Sequence, residues 1–292
     1  MTKPAQYDRI ATASGWAQHA AVGIIPGTEK LPGGPKTIML PRRCYTLGAV
    51  GDFLTAGKSD LRLADLGGGS GELAAFALLH PNVASVAVTD ASQKQLDTAA
   101  QTCSFAEDRA RFVRADFADD MDLPSGSVDA VTMTYVLSEL STANMRRALE
   151  TVARILVPGG AAYIEDLAPE IFAAALANPD AMRPLVVRRD ANLSAVVEQN
   201  PAVADLPTKV SETPSHADYA WVVYKPDGGV AVALPYTDHS DQLLRETAAE
   251  FGLRLVSVTK RPIDPRHSEA NKALAPYTKV AAIVRQMVFV RE

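Results

Sequence analysis

Short apolar runs that end on an acid recur through the middle of this chain, and amphipathic stretches separate them. A run beginning at Leu61 carries Asp65 to its C-terminal end. Val83 to Thr89 is apolar and β-branched and stops at Asp90. Arg111 to Ala115 stops at Asp116. Val128 to Val136 follows the turn Pro124-Ser125-Gly126-Ser127, and Ala161 to Glu165 makes a fifth run. Between them, Leu73 to Leu79, Ser92 to Thr102 and Thr142 to Val157 read as helices. The last has Ser141 or Thr142 as its cap and one stripe of Met145, Leu149, Val152, Ile155 and Leu156. Pro158-Gly159-Gly160 stops it. Strands alternating with helices at this spacing predict parallel βαβ units in an α/β fold, with helices on both faces of the sheet.

The alternation breaks after residue 166. Residues 167–219 are rich in Ala and Pro, with helical stretches and no clear strand. Trp221 to Tyr224 and Val230 to Leu234 flank Pro226-Asp227-Gly228-Gly229, a hairpin signal. Asp241 to Phe251 is an amphipathic helix closed by Gly252, and Leu253 to Val258 and Val280 to Val290 read as two final strands. Ahead of the sheet, Pro26-Gly27 and Leu31-Pro32-Gly33-Gly34-Pro35 break residues 1–50 into short helices joined by a loop. Four units result: a helical lid over 1–55, a core over 56–166, a helical cap over 167–219, and a C-terminal completion of the core sheet over 220–292.

The chemistry concentrates in Leu63-Ala64-Asp65-Leu66-Gly67-Gly68-Gly69-Ser70-Gly71-Glu72. A strand, an acid, a glycine turn and a helix follow one another without a gap. Glycines there open the backbone N–H groups to a ligand, and Asp65 adds fixed negative charge. A phosphate-cradling loop needs Gly-Lys-Ser/Thr at its end, and this chain has Gly71-Glu72. A looser dinucleotide fingerprint fits Gly69-Ser70-Gly71-Glu72-Leu73-Ala74, but a carboxylate beside it repels pyrophosphate. An ammonium or ribose hydroxyls suit Asp65 better.

The whole string resembles motif I of the class I S-adenosylmethionine-dependent methyltransferases, an acid, one residue and then Gly-x-Gly-x-Gly, with Asp65, Gly67, Gly69 and Gly71 at those positions. Further matches follow in order over roughly 60–166 and again over 240–290. The resemblance implies a Rossmann-like sheet, mostly parallel with an antiparallel last strand. It implies S-adenosylmethionine as cofactor, with Asp90 taking the ribose hydroxyls, Asp116 meeting the adenine amine, Phe117 packing on the adenine face, and Thr134 and Tyr135 beside the methionine portion. Leu156-Val157-Pro158-Gly159-Gly160 resembles the family's turn into the fifth strand. Tyr7, in Tyr7-Asp8-Arg9-Ile10-Ala11, resembles a segment folded over the cofactor in small-molecule enzymes, and Arg43 is a candidate for the cofactor's carboxylate. Singly, Asp90 also suits a helix cap and Asp116 a turn.

Methyl transfer is an in-line displacement that needs alignment, plus a base where the acceptor carries a proton. Tyr135, Glu139 and His239 are the candidate catalytic groups, with Asp238 or Asp166 as a partner for His239. The alternatives are a surface acid for Glu139 and an exposed helix-start residue for His239. Arg183, Arg188 and Arg189 give the cap a basic spot suited to an anionic substrate group or simply to solvent.

Composition narrows the partners. A net charge of −5 and the lack of a long basic run disfavour nucleic acid. Two cysteines, Cys44 and Cys103, suggest neither a disulfide framework nor a zinc site, and no His/Cys/Asp/Glu cluster has metal spacing. No signal core or membrane-length apolar stretch is present, so the expectation is a cytoplasmic protein. High Ala and Arg suggest a GC-rich bacterial source and specialised metabolism. Residues 1–50 either close over the site or pair with a second subunit, which leaves a homodimer open.

The leading expectation is a methyltransferase acting on O or N of a small molecule, with S-adenosylhomocysteine as product. A second reading keeps the fold but consumes the cofactor itself, by ring closure with release of methylthioadenosine, or uses its charge for a rearrangement or cyclisation. A third is a non-catalytic methyltransferase-like subunit, and an NAD-dependent oxidoreductase is the remainder.

Overall fold

The computed structural model describes residues 39–117, 121–168, 185–187, 218–224, 230–237, 239–262 and 283–292. Helix α1 (Met39–Ala56) leads into β1 (Leu61–Leu66), α2 (Glu72–Leu79), β2 (Val83–Asp90), α3 (Gln93–Thr102) and β3 (Ala110–Arg114). There follow β4 (Val128–Thr134), α4 (Thr142–Ile155), β5 (Leu156–Leu167), β6 (Leu185–Val187), β7 (Asp218–Tyr224), β8 (Val230–Thr237), α5 (Asp241–Glu250), β9 (Leu253–Pro262) and β10 (Ile283–Arg291).

Seven strands form one sheet in the order β3-β2-β1-β4-β5-β10-β9. Pairing is parallel from β3 through β5, and β10 runs antiparallel to both β5 and β9. The first five strands therefore end on one edge, which collects Asp65, Asp90, Asp116, Tyr135 and Glu165. The order of the sheet reverses beside β1, and ligands of open α/β sheets bind at such a crevice.

Each face of the sheet has its own core, as period-two alternation requires. Leu63, Val86, Val88, Ala130 and Tyr163 pack with Val50 and Leu54 of α1 and with α2 and α3. Ala64, Leu66, Val131, Met133 and Ile164 pack with α4 and α5. The stripe read on α4 lies fully in that second core, with Met145, Leu149, Val152, Ile155 and Leu156 all at 0% exposure. Ser141, Ser92 and Ser240 cap α4, α3 and α5 through their hydroxyls.

Three features change the sequence reading beyond shifts of a few residues at strand ends. Helix α4 stops at Ile155, and the strand begins at Leu156 rather than Ala161. Leu156 pairs with Val128 and Ala161 with Ala130, so the Pro-Gly-Gly residues are an irregularity within one strand, with Gly159 at φ 76°. Second, the stretch read as lacking strands contains β6, a three-residue strand too short to show a period. Third, β7 and β8 form the expected hairpin but join β6 in a separate antiparallel sheet, so that only β9 and β10 of the C-terminal unit complete the main sheet. The rest of the stretch read from sequence as a cap, including Arg183, Arg188 and Arg189, lies outside the described residues, as does Tyr7 with residues 1–38.

Candidate active site

The tip of β1 holds a buried acid with one unpartnered oxygen. Asp65 is 1% exposed. The Thr132 hydroxyl of β4 donates to its Oδ1 at 2.8 Å, while its Oδ2 has no hydrogen-bond partner. Burial pushes the carboxyl up to about 7; the Thr132 bond opposes this, and the charges of Asp90 and Glu72 add to it. Such an oxygen is a standing invitation to a donor, because a buried acceptor without one costs free energy.

The glycine turn wraps this acid. Gly67, Gly69 and Gly71 have φ of 69°, 56° and 81°, a region that L side chains rarely adopt. A Cβ at Gly67 would stand 2.4 Å from a methyl of Val136, and one at Gly71 would stand 2.9 Å from the Ala99 backbone of α3. At Gly68 it would meet Asp65 Oδ2 at 2.7 Å. At Gly69 it would meet nothing within 4 Å. The turn is thus packed tightly on three sides and open at Gly69, which leaves backbone accessible beside the Asp65 carboxylate. Below it, Cys103 is buried and its thiol lies 3.6 Å from the Gly71 carbonyl oxygen. Burial pushes that thiol up to about 11, so it serves packing rather than nucleophilic chemistry.

Asp90 ties the turn to the next strand. Its Oδ2 accepts from the Gly69 N–H at 3.0 Å and its Oδ1 from the Ser92 N–H at 2.8 Å. Ser92, not Asp90, caps α3. The carboxylate is thereby fixed beside Gly69, at the tip of β2. Asp116 lies two residues beyond β3, held at the edge where the Ala115 N–H donates to the Asp90 carbonyl at 3.0 Å. Phe117 is 9% exposed and packs in the core beneath β4 with Met121 and Leu123.

The fourth strand ends at Thr134, and Tyr135 follows with φ 58°. That conformation costs free energy in a bulky residue. The Tyr135 N–H donates to the Glu165 carbonyl at 2.7 Å, which closes the β4–β5 edge there. A 3₁₀ turn over Leu137–Glu139 follows, with Glu139 half-buried. Fully buried Asp166 secures it by accepting from both the N–H and the hydroxyl of Ser138, each at 2.7 Å.

His239 takes a place that neither sequence reading foresaw. It is 0% exposed, and its Nε2 lies 3.0 Å from the Leu140 carbonyl oxygen. The His239 carbonyl in turn accepts from Arg285, whose Nη1 also meets Asp241 at 2.9 Å. A ring buried behind the loop with one nitrogen on a main-chain carbonyl anchors that loop. Its burial overturns the reading as an exposed helix-start residue. Arg43 falls in the first two turns of α1, one turn before Thr46.

Glu165 is the residue whose importance the sequence reading missed. It is 1% exposed and takes hydrogen bonds from Thr46 of α1 at Oε1, and from Tyr163 at 2.6 Å and Gln286 at 2.8 Å at Oε2. The available signal was a pair of acids, Glu165 and Asp166, near the end of an otherwise apolar strand, with Glu165 in register with Thr134 of β4 and Gln286 of β10. Among the described residues, no group of three or more His, Cys, Asp or Glu could hold a metal ion, and no helix is long and apolar enough to cross a membrane.

Comparisons with known proteins agree with this architecture. Residues 63–160 match the family described as a methyltransferase domain. No curated protein matches the sequence. A methyltransferase from Mesorhizobium loti that depends on S-adenosylmethionine aligns at 16% identity and TM-score 0.53, over 83% of this chain and 96% of that one. The [4+2]-cyclase SpnF aligns at 15% identity and TM-score 0.57, over 100% of this chain and 97% of that one. A methyltransferase of Haloferax volcanii, in complex with its Trm112 activator, aligns at 16% identity and TM-score 0.51, over 95% and 96%. With the motif I string, acids at the tips of β1 and β2 and just beyond β3, and the reversal of strand order all present, the stretch from Leu63 to Gly160 matches the methyltransferase domain family, and the chain has the class I Rossmann-like fold of these solved structures.

Proposed function

We propose that this chain binds S-adenosylmethionine across the tips of β1, β2 and β4 and transfers its methyl group to O or N of a small molecule. One observation carries the reading: a fully buried carboxylate, Asp65, keeps one oxygen without a partner beside the open backbone of Gly69. A ligand with an ammonium group satisfies that oxygen, and the Asp90 carboxylate on the other side of Gly69 suits the ribose diol of the same ligand. Asp116 stands further along the edge, toward the adenine. Arg43, on the first turns of α1, is the candidate for the ligand's carboxylate.

Bound S-adenosylmethionine supplies an electrophilic sulfonium methyl group. The chain's own part is to hold an acceptor in line with it and to exclude water. Tyr135 and Glu139 flank the acceptor side, and the half-buried Glu139 is the group placed to take a proton from an incoming hydroxyl or ammonium.

A second reading has a specific observation in its favour, because the aligned [4+2]-cyclase matches this chain over its whole length. In that reading the same site holds the same ligand and rearranges or cyclises a substrate. Incubation of the protein with S-adenosylmethionine, alone and with an acceptor library, followed by mass spectrometry of the nucleosides, separates the two. Release of S-adenosylhomocysteine with a methylated acceptor supports transfer. Methylthioadenosine, or turnover of an added polyene with S-adenosylmethionine intact, overturns transfer in favour of the second reading.

A further inference from the structure

Helix α1 crosses the sheet from one end to the other. Near its C-terminus, the Leu54 carbonyl accepts from Asn82 Nδ2, and Asn82 precedes the start of β2. Thr46, eight residues earlier, meets Glu165 near the C-terminal end of β5. The helix has 18 residues, roughly 27 Å at 1.5 Å per residue. Its residues before Thr46, which include Arg43, therefore extend by about 10 Å past Glu165, over the edge that carries the candidate site.

The contacts of this helix divide into two kinds. Its second half is held by apolar packing, with Val50 and Leu54 at 0% exposure and Phe53 against the Tyr163 ring at 5.8 Å between centroids. Level with the strand tips, Thr46 donates to a carboxylate that is itself fixed by Tyr163 of its own strand and Gln286 of β10. All four groups are buried, on the face of the sheet that also carries Asp65 and Thr132. A satisfied buried network of this kind is geometrically selective, because losing one donor leaves the carboxylate short of a partner.

We infer that Glu165 is a positioning residue for the active site: through Thr46 it seats the first turns of α1 over the cofactor edge and so sets the geometry of the wall that carries Arg43. The inference rests on the methyltransferase reading only for what lies beneath that wall. The seating itself is a property of the helix. Glu165 touches no reacting atom in this scheme. Its effect passes through Thr46 and through the orientation of residues 39–45.

The test compares Thr46→Val, which removes the donor at nearly constant volume, with Thr46→Ser, which restores it, in the full-length chain. Amide hydrogen exchange of residues 39–50 is measured together with S-adenosylmethionine binding by calorimetry. In Thr46→Val, exchange over 39–47 is expected to speed up by about tenfold, while the apolar half around Val50 to Leu54 stays protected. The dissociation constant is expected to rise by a similar factor, and Thr46→Ser returns both to near the wild-type values. Unchanged exchange over 39–47 overturns the inference, and so does faster exchange with unchanged affinity. If wild-type protein does not bind S-adenosylmethionine at all, the functional reading fails, while the exchange data still decide whether Glu165 seats the helix. Uniformly faster exchange, through α2 and α4 as well, shows general destabilisation and also overturns the positioning role.

Discussion

Asp166 receives both hydrogen bonds that Ser138 can give, one from its N–H and one from its hydroxyl, each at 2.7 Å and both buried. This pair joins the end of β5 to the loop after β4, where Tyr135 and Glu139 stand. His239 holds the same loop through the Leu140 carbonyl. The loop is therefore pinned by two buried polar contacts of separate origin, and its catalytic candidates inherit that rigidity. Replacing Asp166 by Ala strands two buried donors and is expected to lower unfolding free energy by about 2–4 kcal/mol. Ser138→Ala loses only the hydroxyl bond and is expected to cost about 1 kcal/mol. Urea unfolding of both variants checks the ratio, and equal costs would contradict the two-bond account.

Asp90 joins two structural roles to its proposed binding role, since Gly69 and Ser92 both donate to it. Asp90→Asn keeps one acceptor oxygen, so one of the two backbone bonds survives. Asp90→Ala loses both. The expected outcome for Asp90→Ala is a stability loss of about 1–3 kcal/mol together with a fall in S-adenosylmethionine affinity of about a hundredfold, because loop order and diol contacts go together. Calorimetric titration checks it. A folded Asp90→Ala protein with wild-type affinity would remove Asp90 from the site.

The sequence carried the main sheet because its signals are local. A strand that ends on Asp65 before Gly67, or on Asp90 before the Ser92 cap, shows itself within ten residues. The α4 stripe is equally local. What stayed hidden depends on partners distant in the chain. Glu165 reads as the end of a strand until Thr46 and Gln286, 119 and 121 positions away, are seen to donate to it. His239 reads as the start of a helix until the fold buries it against Leu140, 99 positions away. Strand β6 escaped because three residues cannot display a period. Motif order pointed to the edge where β1, β2 and β4 end, whereas the contacts of single polar residues needed the tertiary structure.

The glycines of the turn differ in what they tolerate. Alanine at Gly67 brings a Cβ to 2.4 Å from Val136 as well as a φ of 69°, so both the turn and the pinned loop must move. At Gly69 the space is open and only the backbone conformation resists, at about 1–2 kcal/mol. Gly69→Ala is thus expected to fold with a modest drop in melting temperature but to lose ligand affinity, because the methyl group occupies the one open side. Gly67→Ala is expected to lose more stability. Thermal melts alongside ligand titration check the contrast. Greater destabilisation by Gly69→Ala than by Gly67→Ala would mean that the opening at Gly69 is not real.

Asp65 makes the protein sensitive to pH in a direction opposite to that of a salt-bridged acid. Its folded pKa, about 7, lies above its ordinary value of 3.8. Between those values the folded chain keeps a proton that the unfolded chain has lost, so unfolding releases it. The contribution of Asp65 to stability therefore falls as pH rises through this window, by at most about 1.4 kcal/mol per pH unit. It levels off above 7, where both states are ionised. Asp65→Asn lacks the ionisation, and its stability relative to wild type is expected to improve from pH 5 to pH 7.5 in urea unfolding. A cationic ligand beside Oδ2 reverses the preference, because it favours the charged carboxylate. Binding of S-adenosylmethionine at pH 6 is then expected to release a fraction of a proton, seen as a dependence of binding heat on the ionisation enthalpy of the buffer. The release should vanish at pH 8.5 and in Asp65→Asn. Binding heats that do not vary with buffer at pH 6 would place the ammonium elsewhere, and with it the methionine end of the ligand.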